Sequence, residues 1–145
     1  MRHLRNPQNV LNILSTHSKD LDYQYKRLYR LFFNRDIYLV AYQKMYANEG
    51  NMTKGSDGGT IDGMSLKRID ALINALKDES YQPAPSRRTY IPKKNGKMRP
   101  LGIPSFNDKL IQEVLRMILN QLPMASVLLK AVILHYCKYN RSLQE

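Results

Sequence analysis

An α+β fold follows from two periodicities in the chain and one break between them. Apolar residues recur at helical spacing in five stretches, and a short alternating segment folds back about Asn95-Gly96. Between them lies a glycine-rich run that belongs to neither pattern. The chain has 145 residues, 43% of them hydrophobic. That suffices for one domain with a modest core, or for part of a larger one.

Val10, Ile13 and Leu14 lie within one turn of each other and predict a short first helix. Leu21, Tyr25, Leu28 and Phe32 then repeat at intervals of four, three and four, which predicts one face of an amphipathic helix. Lys26, Arg27 and Arg30 fall on its other side. A third helix buries Ile37, Val40, Ala41 and Met45 and leaves Arg35 and Lys44 outside. The tyrosines here read as core and groove lining, with stacking on bases the lesser alternative.

From 48 to 63, five glycines among Asn, Ser, Thr and Asp predict a flexible loop. It lacks the Lys-Ser/Thr of a phosphate-cradling P-loop and the strand-Gly-x-Gly setting of a dinucleotide site. Asp57 and Asp62 are too sparse for a calcium loop. Ser65 is placed as an N-cap, and Leu66, Ile69, Leu72, Ile73 and Leu76 line the next helix until 81–85 stops it.

Residues 87–102 predict a hairpin, with Asn95-Gly96 in a type I′ turn and 89–91 pairing with 98–99. Pro92 and Pro100 cannot donate ladder hydrogen bonds, so the strands belong at an edge. Ser105 and Asp108 have capping-box spacing, and Leu110, Ile111, Val114, Leu115 and Ile118 form the buried side of the last helix.

Charge is the first functional signal. The formal net charge is +11 and the isoelectric point near 9.8. Charge alone weighs evenly between a polyanion partner and a merely soluble basic protein. The hairpin tips that balance. Arg87, Arg88, Lys93, Lys94, Lys97 and Arg99 fall on it with no acid between them, and cations on a rigid projection suit phosphate oxygens better than a simple solvated face. Cys137 is the only cysteine, which excludes a disulfide framework and a cysteine-based metal cluster. His3, His17 and His135 show no ligand spacing. No apolar run is long enough to span a bilayer, and residues 1–5 do not open a signal peptide, so an intracellular, cytoplasmic protein with no membrane partner is expected.

The stretch from Tyr81-Gln82-Pro83 through Arg87-Arg88-Thr89-Tyr90-Ile91-Pro92-Lys93-Lys94-Asn95-Gly96-Lys97-Met98-Arg99-Pro100-Leu101-Gly102-Ile103-Pro104 closely resembles the first reverse-transcriptase block of group II intron proteins. Gly59-Thr60-Ile61-Asp62-Gly63-Met64-Ser65 resembles the N-terminal extension motif of the same family, in the same order and spacing. The resemblance covers most of residues 20–119. It implies the fingers of a right-hand polymerase with an incomplete palm: an N-terminal extension over 1–64 and fingers over 65–119. In that family the hairpin closes over the incoming nucleotide, which assigns Lys93 and Arg99 to its triphosphate. A flexible point charge and a forked donor suit that task on physical grounds too.

The same resemblance sets Gly58, Gly59 and Gly63 against template RNA, their backbone N–H groups free to approach phosphates. Arg87, Arg88, Lys94 and Lys97 would bind RNA beside them, and Lys26, Arg27 and Arg30 would hold intron RNA, in an intracellular ribonucleoprotein. DNA is a further partner of the intact family protein. Its chemistry, RNA-directed DNA polymerisation, uses Mg²⁺ held by palm carboxylates, including a Tyr-Ala-Asp-Asp turn. This sequence has no such motif, so no catalytic residue, metal ligand or cofactor is assigned to it, and the polypeptide alone is expected not to polymerise. A free-standing basic RNA-binding module and an inert product of a decayed mobile element are the alternatives.

After Leu119 the resemblance fails, and the departure has a pattern. Read one frame over, codons permitted from Leu122 onward spell Ser-His-Gly-Phe-Arg-Pro, and those from Lys130 onward spell Ser-Cys-His-Thr-Ala-Leu. Both are family motifs, in one common frame and at family spacing. An internal deletion with a frame change near 119–122 explains them, and makes 120–145 an out-of-frame tail in which Val127, Leu128, Ile133 and Cys137 carry no evolved meaning.

Overall fold

The computed structural model describes residues 6–20, 23–48, 50 and 52–122. Four α-helices and one two-stranded antiparallel sheet follow in the order α1 (Pro7–His17), α2 (Arg35–Tyr46), α3 (Leu66–Lys77), β1 (Arg87–Pro92), β2 (Met98–Ile103), α4 (Phe106–Leu119). The fold is α+β, as the periodicities predict. Short 3₁₀ turns at Leu28–Phe33 and Ile61–Gly63 interrupt the connections. All but the first few residues of the out-of-frame tail expected at 120–145 lie outside the described residues.

Each helix starts on a polar cap that takes one of its orphan N–H donors. Asn6 accepts from Gln8 N at 2.9 Å, Asn34 from Asp36 N at 3.0 Å, Ser65 from Arg68 N at 3.2 Å and Ser105 from Asp108 N at 3.2 Å. The core is the meeting of α2, α3 and α4. Ile37, Tyr38 and Ala41 from α2 pack with Ile69, Leu72, Ile73 and Leu76 from α3 and with Phe106, Leu110, Val114, Met117 and Ile118 from α4. Each fully buried Ile, Leu or Val contributes roughly 1.5–3 kcal/mol. Leu11 brings α1 onto the same cluster. The expected stripes shift by a position or two. Leu11 is buried where Ile13 is exposed, and Tyr38 is buried while Val40 and Met45 are only half-buried. Leu66, expected inside, is 53% exposed in the first turn of α3.

The amphipathic helix expected over 21–32 does not form. Residues 23–27 have no regular structure, Arg27 takes a left-handed φ of 61°, and only Leu28–Phe33 winds, as a 3₁₀ turn. Leu21 lies outside the described residues. A 3₁₀ turn repeats every three residues, so Leu28 and Leu31 share the side that packs on the core. Asn34 must leave helical geometry to cap α2, which ends the segment. The Tyr29 hydroxyl then donates to the Leu76 carbonyl at 2.5 Å, one of the acceptors that the end of α3 leaves open.

The loop expected to be flexible is docked. Ile61 is fully buried, and the Gly55 backbone lies so close to α4 that an added Cβ would sit 2.7 Å from Pro104 O and from Ser105 Cα. Lys109 Nζ donates to Thr53 O at 2.9 Å and so ties the loop to α4 from the other side.

A buried carboxylate fixes the root of the hairpin. Asp108 is 2% exposed and accepts from the Tyr81 hydroxyl, from Ala84 N at 3.1 Å and from the Ser105 hydroxyl at 2.7 Å. Tyr81 and Ala84 precede β1 and Ser105 follows β2, so one side chain holds both ends. This departs from the reciprocal capping box expected at Ser105 and Asp108. The Asp108 side chain turns to the segment before β1 because two donors converge there.

Two side chains of similar burial thus make opposite predictions. Asp108→Ala strands three donors and should lower unfolding free energy by about 3 kcal/mol in urea titration. The Tyr38 hydroxyl is buried with no hydrogen-bond partner among the described residues. Tyr38→Phe should therefore be neutral or stabilising by up to about 1 kcal/mol, and a loss larger than that would mean the hydroxyl has a partner. Gly55→Ala forces the loop off two backbone atoms that cannot move aside, and should destabilise by about 1–3 kcal/mol. Wild-type stability for that variant would show that the loop is not docked in solution.

Candidate nucleic-acid interface

Thr89, Tyr90 and Ile91 favour extended backbone, and Pro83 and Pro85 keep the preceding segment from continuing α3. The strands pair in one register: Arg87 with Ile103, Arg88 with Gly102, Thr89 with Leu101, Tyr90 with Pro100, Ile91 with Arg99 and Pro92 with Met98. Beyond them Lys93 N donates to Lys97 O at 2.7 Å, and Gly96 N to Lys93 O at 3.0 Å. Gly96 alone in this turn has a positive φ, 77°. The turn is therefore a three-residue loop, Lys94-Asn95-Gly96, with a glycine bulge, not the type I′ turn expected. Asn95 supports it by accepting from Lys97 N at 3.2 Å instead of taking a positive φ itself. Both strands are edges, as Pro92 and Pro100 require.

Residues paired across a strand share a face, and faces alternate along each strand. One face of the hairpin therefore carries Arg87, Thr89, Ile91 and Lys93 together with Lys97, Arg99, Leu101 and Ile103. The other carries Arg88, Tyr90, Pro92, Met98, Pro100 and Gly102. Lys94 sits in the turn. Four of the six hairpin cations thus fall on one face, with Lys93 diagonal to Arg99 and Lys97 two residues from it. All six are exposed. The ion pairs between described residues are Arg35–Asp70, Arg68–Asp57 and Arg116–Glu113, and none of them uses Arg87, Lys93, Lys94, Lys97 or Arg99. The strands contact chiefly each other, so the hairpin projects from the helices.

The other site residues belong to other segments of the chain. Lys26, Arg27 and Arg30 are exposed, on irregular backbone and on the 3₁₀ turn instead of a helix. The glycine loop does not offer free N–H groups. Gly58 N donates to Gly55 O at 3.3 Å, Gly59 N to the Asp57 carboxylate at 3.1 Å and Gly63 N to Thr60 O at 3.2 Å. The loop satisfies its own donors because it is folded against the body. Gly58, at φ 69° with open space around it, is its outermost turn.

Two residues that organise the site were not legible as such. Arg68 donates to Asn107 Oδ1 at 2.6 Å and to Gly63 O at 3.2 Å, lies 3.6 Å from Asp57, and sits 4.9 Å above the Phe106 ring. It joins the loop, α3 and α4. A cation in the first turn of a helix opposes the macrodipole unless it is paired, and that is the signal that could have found it. Lys109 has its pKa lowered, first by burial; Asp57 opposes the shift and the positive charge of Arg87 adds to it. The cationic field of the hairpin root thus reaches the loop anchor. Among the described residues, no three His, Cys, Asp or Glu side chains come together as a metal site. None of their helices is long and apolar enough to cross a membrane.

No protein-family model matches the chain. Individual proteins do. A "Group II intron-encoded protein LtrA" of Lactococcus lactis subsp. cremoris is 50% identical over 115 residues, covering 78% of this chain and 19% of that protein. An "Uncharacterized 91 kDa protein in cob intron" of Schizosaccharomyces pombe is 44% identical over 121 residues, 79% of this chain and 15% of its own length. A "Putative COX1/OXI3 intron 1 protein" of Saccharomyces cerevisiae is 40% identical over 87 residues, 60% of this chain and 10% of its own length. The chain spans a fifth or less of the length of these relatives. Half of the aligned residues in the first comparison are identical, far beyond what a shared hairpin would require, and the chain therefore belongs, over those residues, with the group II intron-encoded proteins.

Proposed function

We propose that this chain is the fingers-side part of a group II intron reverse transcriptase/maturase, and that its hairpin holds phosphates of RNA and of an incoming nucleoside triphosphate. The observation that carries the reading is the register, which gathers the exposed side chains of Arg87, Lys93, Lys97 and Arg99 on one face, clear of the ion pairs between described residues. Lys93 supplies a mobile point charge, and Arg99, its diagonal neighbour, a planar fork for two phosphate oxygens. Lys97 and Arg87 extend the strip along the strands. Lys94 at the turn and Arg88 on the opposite face add to the field without sharing the face.

The affinity is mainly electrostatic, through release of counterions from the polyanion. The role proposed for the hairpin residues is phosphate binding; the Mg²⁺ that polymerisation requires is held by palm carboxylates in this family. The exposed Lys26, Arg27 and Arg30 form a second, separate basic contact for intron RNA. Within this reading the protein works in an intracellular ribonucleoprotein, with DNA entering as a partner of the longer enzyme.

Filter binding of a single-stranded oligoribonucleotide across a salt series tests this. If four phosphates are neutralised, log Kobs should fall against log salt with a slope of about −3. The Lys93→Ala, Arg99→Ala double variant should flatten that slope by about 1.4 and weaken nucleoside triphosphate binding in parallel. Unchanged slope and unchanged triphosphate binding in the double variant would sink the assignment.

A further inference from the structure

We infer that the opposite face of the hairpin, built on Tyr90 and Pro100, is a stacking surface for the bases of single-stranded RNA; this rests on the phosphate-binding reading of the same hairpin. Register separates the two chemistries. The basic face holds the strand side chains that are buried or half-buried: Thr89, Ile91 and Ile103. The opposite face is exposed at all six positions, yet four of them are Tyr90, Pro92, Met98 and Pro100. Tyr90 and Met98 are each 56% exposed. A phenol ring paired with the compact pyrrolidine ring of Pro100, with side-chain-free Gly102 diagonal to it, is an open platform and not an uncovered piece of core. None of these residues belongs to the hydrophobic cluster of the body.

Charge selects the occupant. From Ser80 to Asn107 the chain has no acidic residue and six cations. A second copy of this chain would bring +11 against +11 and one cationic hairpin against another, so self-association through this face is opposed. A single-stranded nucleic acid presents planar apolar bases on a polyanionic backbone and satisfies both faces at once. Its phosphates follow the basic side and the turn while a base turns over the edge onto Tyr90. Duplex RNA, whose bases are already stacked, does not offer the second half of that contact.

The test compares full-chain variants on two probes of equal length: an oligoadenylate carrying one 2-aminopurine, and an abasic phosphodiester oligomer. Tyr90→Leu keeps an apolar side chain but removes the ring. It should weaken oligoadenylate binding about tenfold, leave abasic binding and the salt slope unchanged, and abolish 2-aminopurine quenching. Tyr90→Phe should behave as wild type. Equal binding of both probes by Tyr90→Leu and wild type overturns the inference, and if Lys93→Ala, Arg99→Ala still loses affinity the phosphate reading survives alone. Equal weakening on both probes also overturns it, because the ring is then structural. A wild-type dimer in sedimentation that Tyr90→Leu dissociates, with no discrimination between probes, assigns the face to self-association and overturns it too. Discrimination between probes that persists while the Lys93, Arg99 pair has no effect would leave the stacking surface standing and remove the phosphate reading.

Discussion

Asp108 is an acid buried beneath both roots of a hairpin that has no acid of its own. A two-stranded sheet is marginal in water by itself, because each strand has only one partner and little apolar surface to cover. This one also carries six cations, so it has less reason than most to stay folded and none to stay in place. Asp108 supplies the missing constraint. It accepts from Tyr81 and Ala84 on the way into β1 and from Ser105 on the way out of β2, while its own N–H is held by Ser105 at 3.2 Å. Entry and exit of the hairpin are thereby fixed to the first turn of α4, whose Leu110, Val114 and Ile118 are fixed to the core. Direction passes from core to helix to carboxylate to strands.

A second set of contacts stiffens the same corner. Gly55 brings loop backbone against Pro104 and Ser105, at the step from β2 to α4, where no side chain would fit. Arg68 reaches from α3 to Asn107 and to the loop carbonyl of Gly63, with its guanidinium over Phe106. The loop, α3 and α4 thus converge within a few residues of Asp108. A glycine-rich segment between polar residues looks mobile in sequence. Here the glycine at 55 serves close packing instead, while Gly58 has open space around it.

What sequence could and could not reveal follows from the range of each interaction. Caps at Ser65 and Ser105, most of the buried faces of α3 and α4, and the hairpin itself rest on residues a few positions apart and are legible; exposed Leu66, half-buried Leu115 and buried Phe106 and Met117 are the exceptions. The stretch from 21 to 32 is not. Its apolar spacing fits an α-helix, but the pull that decides it comes from outside: Leu28 and Leu31 pack on the body, Tyr29 reaches Leu76, and Asn34 is needed by α2. Asn95-Gly96 names a turn without fixing its length, because the choice between two and three loop residues is settled by the Lys93–Lys97 pairing. For the candidate site, the cluster of cations is plain in the sequence. The division into a basic face and an aromatic one is a property of register alone. Arg68 reaches Asn107 and Lys109 reaches Thr53 across tens of residues, so their partners are not legible; the one local hint is the cation of Arg68 in the first turn of α3.

The hairpin's charge also carries a constraint on when it is stable. Lys93 and Lys97 are paired across the turn by a 2.7 Å backbone bond, which brings two positive side chains to one face, and like charges directly opposed destabilise a strand pair. Added salt screens that repulsion, since the Debye length is only about 8–10 Å at physiological ionic strength. The same salt would weaken the counterion release that favours the proposed polyanion on the face. Salt would therefore act in opposite senses on the free hairpin and on the proposed complex, firming the first and loosening the second. A polyanion bound as proposed would relieve the repulsion without this conflict, to the extent that it binds the folded hairpin more tightly than the unfolded chain. The cations are a liability that stability alone would have dispersed along the sequence. Nothing in the packing accounts for the gathering of four of them on one face of a projecting hairpin, and the proposed phosphate ligand would account for it.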